Sequence, residues 1–167
     1  MKYLFVIVFI IVFILFDKSI GYTDTSPVWT HFTYMFQHAG IIHLTLNSLA
    51  FIGMFRVLEK IINKYILSAT ILSIGVAASF ISTYQLPTVG ISGAVYAMIG
   101  IYLSMITTKK LIIKDKSKFI IFVLSVLICL VISFFKTNSN FQLHIFSLMI
   151  GYVYWYAVYL WNIINKI

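Results

Sequence analysis

Long stretches without any charged residue constrain this chain more than any other feature of its sequence. Four of them cover residues 25 to 55, 65 to 108, 119 to 135 and 137 to 165. A helix that spans a bilayer needs about 20 apolar residues. The stretch from 65 to 108 is about twice that length, and Pro87 and Gly90 break it near its middle. These stretches predict membrane helices, because transmembrane barrels have short strands of alternating polarity.

The composition agrees with a membrane protein. Hydrophobic residues make up 62% of the chain and charged residues 10%, and the mean hydropathy is +1.03. A soluble domain has a much smaller apolar share. We therefore predict an all-α, polytopic membrane protein with one domain over residues 1–167. Its six helices are predicted near residues 2–16, 40–59, 65–85, 91–108, 118–135 and 141–165.

Two features at single positions refine this picture. Lys2 is followed by fourteen apolar residues, which also resembles a signal peptide, but no small-x-small cleavage site follows them. We expect a retained first helix.

The lone Cys129 excludes a disulfide within the chain and a cysteine-based metal site. We expect it to serve packing inside a helix.

The basic residues predict the orientation. If the N-terminus is cytoplasmic, ten of the twelve basic residues lie inside, and only Lys18 and Lys136 lie outside. This is a strong positive-inside bias, so both termini should be cytoplasmic. The net charge of +8 follows from the topology, and no nucleic acid partner is needed to explain it. The same orientation puts Ser92 and His144 near the outer ends of the fourth and sixth helices.

Ser92 and His144 lie in apolar segments, where a polar side chain is costly and tends to face a protein interior or a water-filled cavity. Small residues share a face with each of them: Gly93, Ala97 and Gly100 on the fourth helix, and Ser147 and Gly151 on the sixth. If the two faces meet, serine and histidine become neighbours, as nucleophile and base. Ordinary helix packing through small residues explains the glycines equally well.

The second helix carries another polar face. His43 and Asn47 are four residues apart and project from one side, with His38 preceding the helix. Such a pair can donate hydrogen bonds to an oxyanion. A metal site is disfavoured, because the spacing of His38 and His43 is unusual for helical ligands and no carboxylate is near. We expect no metal and no cofactor.

These residues together resemble the rhomboid family of intramembrane serine proteases in order, spacing and segment. The motif residues are His38, His43, Asn47, the run Gly90-Ile91-Ser92-Gly93, Tyr96, His144 and Gly151. The resemblance covers nearly the whole chain from Trp29 to the sixth helix.

The resemblance implies a role for each motif residue. Ser92 would be the nucleophile and His144 its base. His43, Asn47 and the backbone N–H of Ser92 would form the oxyanion hole, and Tyr96 would stack on the His144 ring. His38, Gly90, Gly93 and Gly151 would support the site.

The resemblance also implies a setting and a class of substrate. The chain looks like a minimal multi-pass member of a bacterial plasma (inner) membrane. Membrane lipids would surround it, and its substrates would be transmembrane proteins cut in or near the outer part of the bilayer. Such a helix must unwind before its peptide bond reaches Ser92, so small or helix-breaking residues are expected there. The oligomeric state is left open.

Two departures from the family pattern stand out. Trp29 is followed by Thr30 where many members have arginine, and Ser147 stands where many have glycine.

Two other classes of protein fit parts of the pattern. A catalytically inert relative would bind membrane clients, but inert relatives generally lack the serine, the histidine or both. A channel or transporter would line its pathway with these polar residues, but the sequence has no intramembrane carboxylate of the kind that ion coupling usually needs.

Overall fold

The computed structural model describes residues 1–16 and 20–165, and they form a bundle of helices. Six of these helices have fourteen residues or more within the described part of the chain: α1 (Lys2–Leu15), α2 (Ile41–Leu58), α3 (Lys64–Ile81), α4 (Ser92–Thr107), α5 (Lys116–Phe135) and α6 (Phe141–Ile164). A single helical turn, Thr30–Thr33, and a 3-10 turn, Tyr34–Phe36, precede α2. By length and composition, α2, α3, α5 and α6 can cross a membrane, while α1 and α4 are shorter apolar helices.

The predicted end of the third helix is wrong. The prediction placed it at residue 85, but α3 ends at Ile81, and Ser82 is extended. The chain then pairs through its backbone, because Tyr22 and Thr88 exchange two hydrogen bonds of 3.1 and 2.8 Å. The Ser82 hydroxyl donates to the side chain of Asn140 at 3.0 Å. These partners are distant in sequence, so the local sequence pattern could not reveal them. The other predicted helix ends agree with the structure to within two residues.

α4 is the central helix. Eleven of its sixteen residues are buried, and its most extensive contact is with α6. The two backbones touch at glycines. A Cβ on Gly100 would lie 2.1 Å from the Leu148 carbonyl oxygen, and a Cβ on Gly151 would lie 2.3 Å from that of Ala97. No other residue permits this approach, and through it the two small faces meet.

α1 packs against α2 along an aromatic seam. Phe5 and Phe9 contact Phe51 with ring centroids 5.4 and 5.8 Å apart. At the start of α1, the ammonium of Lys2 pairs with the carboxylate of Glu59 just beyond the end of α2. Apolar burial and one ion pair therefore hold α1 on the bundle.

α5 is peripheral by comparison. Among its twenty residues, only Ser133 is buried. Cys129 is exposed on its surface, so the prediction that this thiol serves internal packing is wrong. The misjudgement arises because a uniformly apolar helix gives no indication of which face turns inward.

Asn140 joins three segments at the end of the bundle that contains Ser82 and Thr88. Its amide donates to the Tyr22 hydroxyl at 2.8 Å and to the Thr88 hydroxyl at 3.0 Å. Its carbonyl accepts from Ser82 and from the backbone N–H of Leu143, each at 3.0 Å, which also caps α6. All four hydrogen-bonding positions of the amide are therefore used.

We expect Asn140→Ala to be strongly destabilising. The change leaves several buried polar groups without partners, each costing about 1–3 kcal/mol, so we expect the free energy of unfolding to fall by about 3 kcal/mol. Denaturant unfolding in detergent measures it. Asn138→Ala, at an exposed position two residues away, is the matched control. Equal stability of the two variants would show that the hydrogen bonds of Asn140 do not stabilise the fold.

Candidate functional site

Ser92 is the first residue of α4, directly after a tight turn. Gly90 has a φ of +117°, which is unfavourable for residues with a side chain, and its N–H donates to the Tyr34 carbonyl at 2.9 Å. Ile91 is buried and Ser92 is half-buried. The turn presents the Ser92 hydroxyl beside the N-terminus of α4, where backbone N–H groups lack helical partners and the helix dipole favours negative charge.

His144 lies one turn into α6 and reaches Ser92. Its Nε2 is 2.9 Å from the Ser92 hydroxyl oxygen, within hydrogen-bond distance. The Tyr96 ring stacks on the imidazole, with centroids 4.5 Å apart and an interplanar angle of 26°. A serine becomes nucleophilic when a positioned base accepts its proton. The structure places the serine beside the histidine, and the stacked Tyr96 ring limits rotation of the imidazole.

His43 and Asn47 face the same turn from α2. A Cβ on Gly90 would lie 2.8 Å from His43 Cε1 and 3.7 Å from Asn47 Nδ2. The absence of a side chain at Gly90 therefore lets both residues approach the backbone beside Ser92.

The hydrogen bonds of these two side chains indicate which protons they can offer. His43 Nδ1 accepts from the Ala39 N–H at 3.3 Å, so a neutral His43 carries its proton on Nε2, the nitrogen nearer Gly90. The Asn47 amide donates one hydrogen to the His43 carbonyl at 3.0 Å. Its second amide hydrogen is a further donor that an oxyanion can use.

His38 lies behind His43, and its ring is buried. Its centroid is 5.3 Å from that of His43 and 5.5 Å from that of Phe9. Neither ring nitrogen makes a well-formed hydrogen bond within the described part of the chain. Desolvation, with a smaller contribution from His43, lowers the pKa of His38 to about 3, and the nearby Phe36 carbonyl opposes this only in part. The ring is thus neutral at physiological pH and packs against the site.

Tyr34 lies beneath the site. It is fully buried and donates from its hydroxyl to the Gly75 carbonyl at 2.9 Å. A Cβ on Gly93 would lie 3.1 Å from the Tyr34 hydroxyl and 3.3 Å from that of Ser147. Gly93 therefore leaves the space that this aromatic ring needs.

Ser133 was missed in the sequence. Its hydroxyl lies 2.9 Å from His144 Nδ1, the ring nitrogen that does not face Ser92. In the sequence it is one of three serines in an apolar helix, a signal too weak to assign a role. Across the described residues, no group of three or more His, Cys, Asp or Glu side chains is arranged to hold a metal ion.

Comparison with known proteins identifies the family. The family model for the rhomboid domain matches residues 25–161, most of the chain. The chain belongs to the rhomboid family. The matched region of this rhomboid protein contains Ser92, His144, His43 and Asn47.

Two relatives are similar to this rhomboid protein. The chain is 30% identical over 131 residues to the Bacillus subtilis (strain 168) protein named "Putative rhomboid protease YdcA", an alignment covering 75% of this chain. The chain spans 64% of that relative's length. It is also 23% identical over 163 residues to "Putative rhomboid protein L523" of Acanthamoeba polyphaga mimivirus, covering 92% of this chain and 90% of the relative.

Proposed function

We propose that this rhomboid protein is an intramembrane serine endopeptidase that uses Ser92 as nucleophile and His144 as base. The observation that carries the proposal is the 2.9 Å contact between the Ser92 hydroxyl and His144 Nε2. Family membership and the name of the Bacillus relative support the same class of reaction.

The reaction proceeds through an acyl-enzyme. The Ser92 oxygen attacks the carbonyl carbon of a peptide bond while its proton passes to His144 Nε2. The carbonyl electrons move to oxygen, and the tetrahedral intermediate then expels the amine, which takes the proton from His144. A water molecule, deprotonated by His144, attacks the resulting ester. The tetrahedral intermediate that forms then collapses. It releases the carboxylic acid, and His144 returns the proton to the Ser92 oxygen.

The oxyanion receives hydrogen bonds from three sources. These are the backbone N–H of Ser92, the Nε2–H of His43 and the amide of Asn47, with the N-terminus of α4 adding its dipole. Tyr96 holds the His144 ring in place. His38, Gly90, Gly93 and Gly151 position these groups through packing.

Asn47→Ala tests the oxyanion hole. Removing one such donor lowers kcat by about 10²-fold, because the donor acts mainly on the charge that develops in the transition state. KM should change little. Thr45→Ala is the matched control, since Thr45 is exposed on the same helix and its hydroxyl donates to the Ile41 carbonyl. An unchanged kcat in Asn47→Ala would remove Asn47 from the oxyanion hole.

The proposal includes a topology. Residues 1–167 form a single domain with six spans, both termini are cytoplasmic, and the site opens toward the outer face of a bacterial plasma membrane. The positive-inside bias supports the orientation, and the Bacillus relative supports the bacterial setting. Surrounding lipids and transmembrane protein substrates are the partners. A substrate helix must unwind locally near the outer interface before a peptide bond meets Ser92, which favours small or helix-breaking residues there.

Cleavage in liposomes tests the proposed activity. The purified protein is reconstituted with tagged single-span substrates in pairs, one carrying Gly and Pro near the outer interface and the other carrying Leu at those positions. We expect product from the first member of each pair and little from the second. A folded protein that cuts no substrate but retains single-span proteins would favour the inert, client-binding class. Ion flux without proteolysis would favour a channel.

A further inference from the structure

The imidazole of His144 has a second polar neighbour, and it comes from α5. The Ser133 hydroxyl is 2.9 Å from His144 Nδ1 and 2.7 Å from the Ser139 hydroxyl. The four side chains thus form a continuous series: Ser92, His144, Ser133, Ser139.

Ser133 turns inward from a helix at the edge of the bundle, where Phe122, Val126 and Leu130 are only partly buried against the core. The helix is strongly apolar, and Ser133 is its one buried residue. Another serine of α5 shows the ordinary alternative: Ser125 is exposed and donates to the carbonyl of Ile121 in its own helix, at 2.8 Å. Polar groups in apolar spans are retained mostly where they face a protein interior or a functional site.

The proposed reaction requires one tautomer of His144. Nε2 must be unprotonated to accept the Ser92 proton, so the single N–H of the neutral ring must be on Nδ1. An acceptor placed at Nδ1 favours that tautomer and fixes the ring, as the carboxylate does in serine protease triads. Within the described chain, the His144 ring nitrogens hydrogen-bond to hydroxyls, and the ring stacks on Tyr96.

We propose that Ser133 is a positioning residue for His144 and that Ser139 completes its hydrogen bonding. The inference rests on the proposed protease function and extends it. In the productive arrangement, the Ser92 hydroxyl donates to Nε2, Nδ1–H donates to the Ser133 oxygen, and the Ser133 hydroxyl donates to Ser139. All three hydrogen bonds are oriented in one direction, so each polarises the next.

The same arrangement serves the charged ring. When His144 takes the Ser92 proton, Nδ1–H still donates to Ser133, whose oxygen dipole stabilises the imidazolium. Ser133 itself neither gains nor loses a proton. A neutral hydroxyl in place of a carboxylate avoids burying a second charge at this depth in the membrane.

Labelling of Ser92 by a fluorophosphonate tests this role. The serine oxygen forms a bond to phosphorus, fluoride leaves, and His144 receives the proton, so the labelling rate reports on the dyad without a protein substrate. We expect Ser133→Ala to slow labelling by about two- to tenfold, the effect of losing one neutral hydrogen bond. Ser133→Thr should restore most of the rate because it keeps the hydroxyl. In substrate cleavage, Ser133→Ala should lower kcat and leave KM unchanged.

A control variant and an unfolding measurement separate the possible results. Ser125→Ala, on the same helix, should label at the wild-type rate, and unfolding in detergent shows whether each variant is folded. Wild-type labelling rates in a folded Ser133→Ala would overturn the positioning role while the proposed protease stands. Equal slowing in Ser133→Ala and Ser133→Thr would also overturn it, since packing would then explain the loss. Absence of labelling in the wild type would instead overturn the protease proposal itself.

Discussion

Ser92→Ala should abolish proteolysis and leave the fold almost intact. The substitution removes the oxygen that forms the acyl-enzyme, and loss of a catalytic serine lowers kcat by about 10⁶-fold in a well-studied serine protease. The Ser92 side chain is half-buried, and its contact in the described structure is one hydrogen bond to His144. Losing that bond costs about 1 kcal/mol. We therefore expect no detectable product in liposomes and a nearly unchanged free energy of unfolding.

His144→Ala and Ser104→Ala complete that experiment. His144→Ala should be as inactive as Ser92→Ala, because the two residues act as a unit and their losses do not add. Ser104 is a buried serine on α4, the helix that carries Ser92. Its hydroxyl has no hydrogen-bond partner in the described structure. Ser104→Ala should therefore cleave at the wild-type rate. Product from a Ser92→Ala preparation free of contaminating protease would exclude Ser92 as the nucleophile.

The helices could be predicted because their signal is local. An uncharged apolar stretch and its flanking lysines identify a membrane helix wherever the rest of the chain lies. The extended segment after Ile81 could not be predicted in this way. Its hydrogen-bond partners include Tyr22 and Asn140, which are about sixty residues away on either side. Residues 82 to 85, Ser-Thr-Tyr-Gln, are uncharged but polar, and nothing in that run indicates those partners.

The site was predictable in a similar, partial way. Ser92 and His144 are rare polar groups with small neighbours at helical spacing, and this pattern anticipates that their helices meet. Ser133 and Tyr34 have no such pattern. Whether Ser133 faces His144 depends on the rotation of α5 about its own axis, which an almost uniformly apolar helix leaves undetermined. The burial of Tyr34 depends on how the loop before α2 folds over α3 and α4.

Gly151→Ala should disrupt both stability and activity. An added Cβ would lie 2.3 Å from the Ala97 carbonyl oxygen and 3.0 Å from its Cα. The obstacle is backbone of α4, so no side-chain rotation can relieve the clash, and the helices must separate. Overpacking of this kind costs about 1–3 kcal/mol and occasionally more. We expect a loss of about 3 kcal/mol in the free energy of unfolding, measured by denaturant titration in detergent.

The cleavage rate of Gly151→Ala should fall by more than the loss of folded protein explains. Ser92 and His144 are held on α4 and α6, and a shift of about 1 Å at a reacting pair can cost 10²-fold in rate. Cleavage measured where the variant is still folded should therefore fall by about that factor.

Gly53→Ala provides the matched comparison for Gly151→Ala. A Cβ at Gly53 in α2 would meet no atom within 4 Å. The same chemical change should there be neutral or slightly stabilising, since alanine favours a helix over glycine by up to about 1 kcal/mol. If Gly151→Ala matched Gly53→Ala in both stability and cleavage, the close α4–α6 contact would not be what holds Ser92 against His144. The alignment of Ser92 with His144 would then depend on the hydrogen bonds that Asn140 makes at the same end of the bundle.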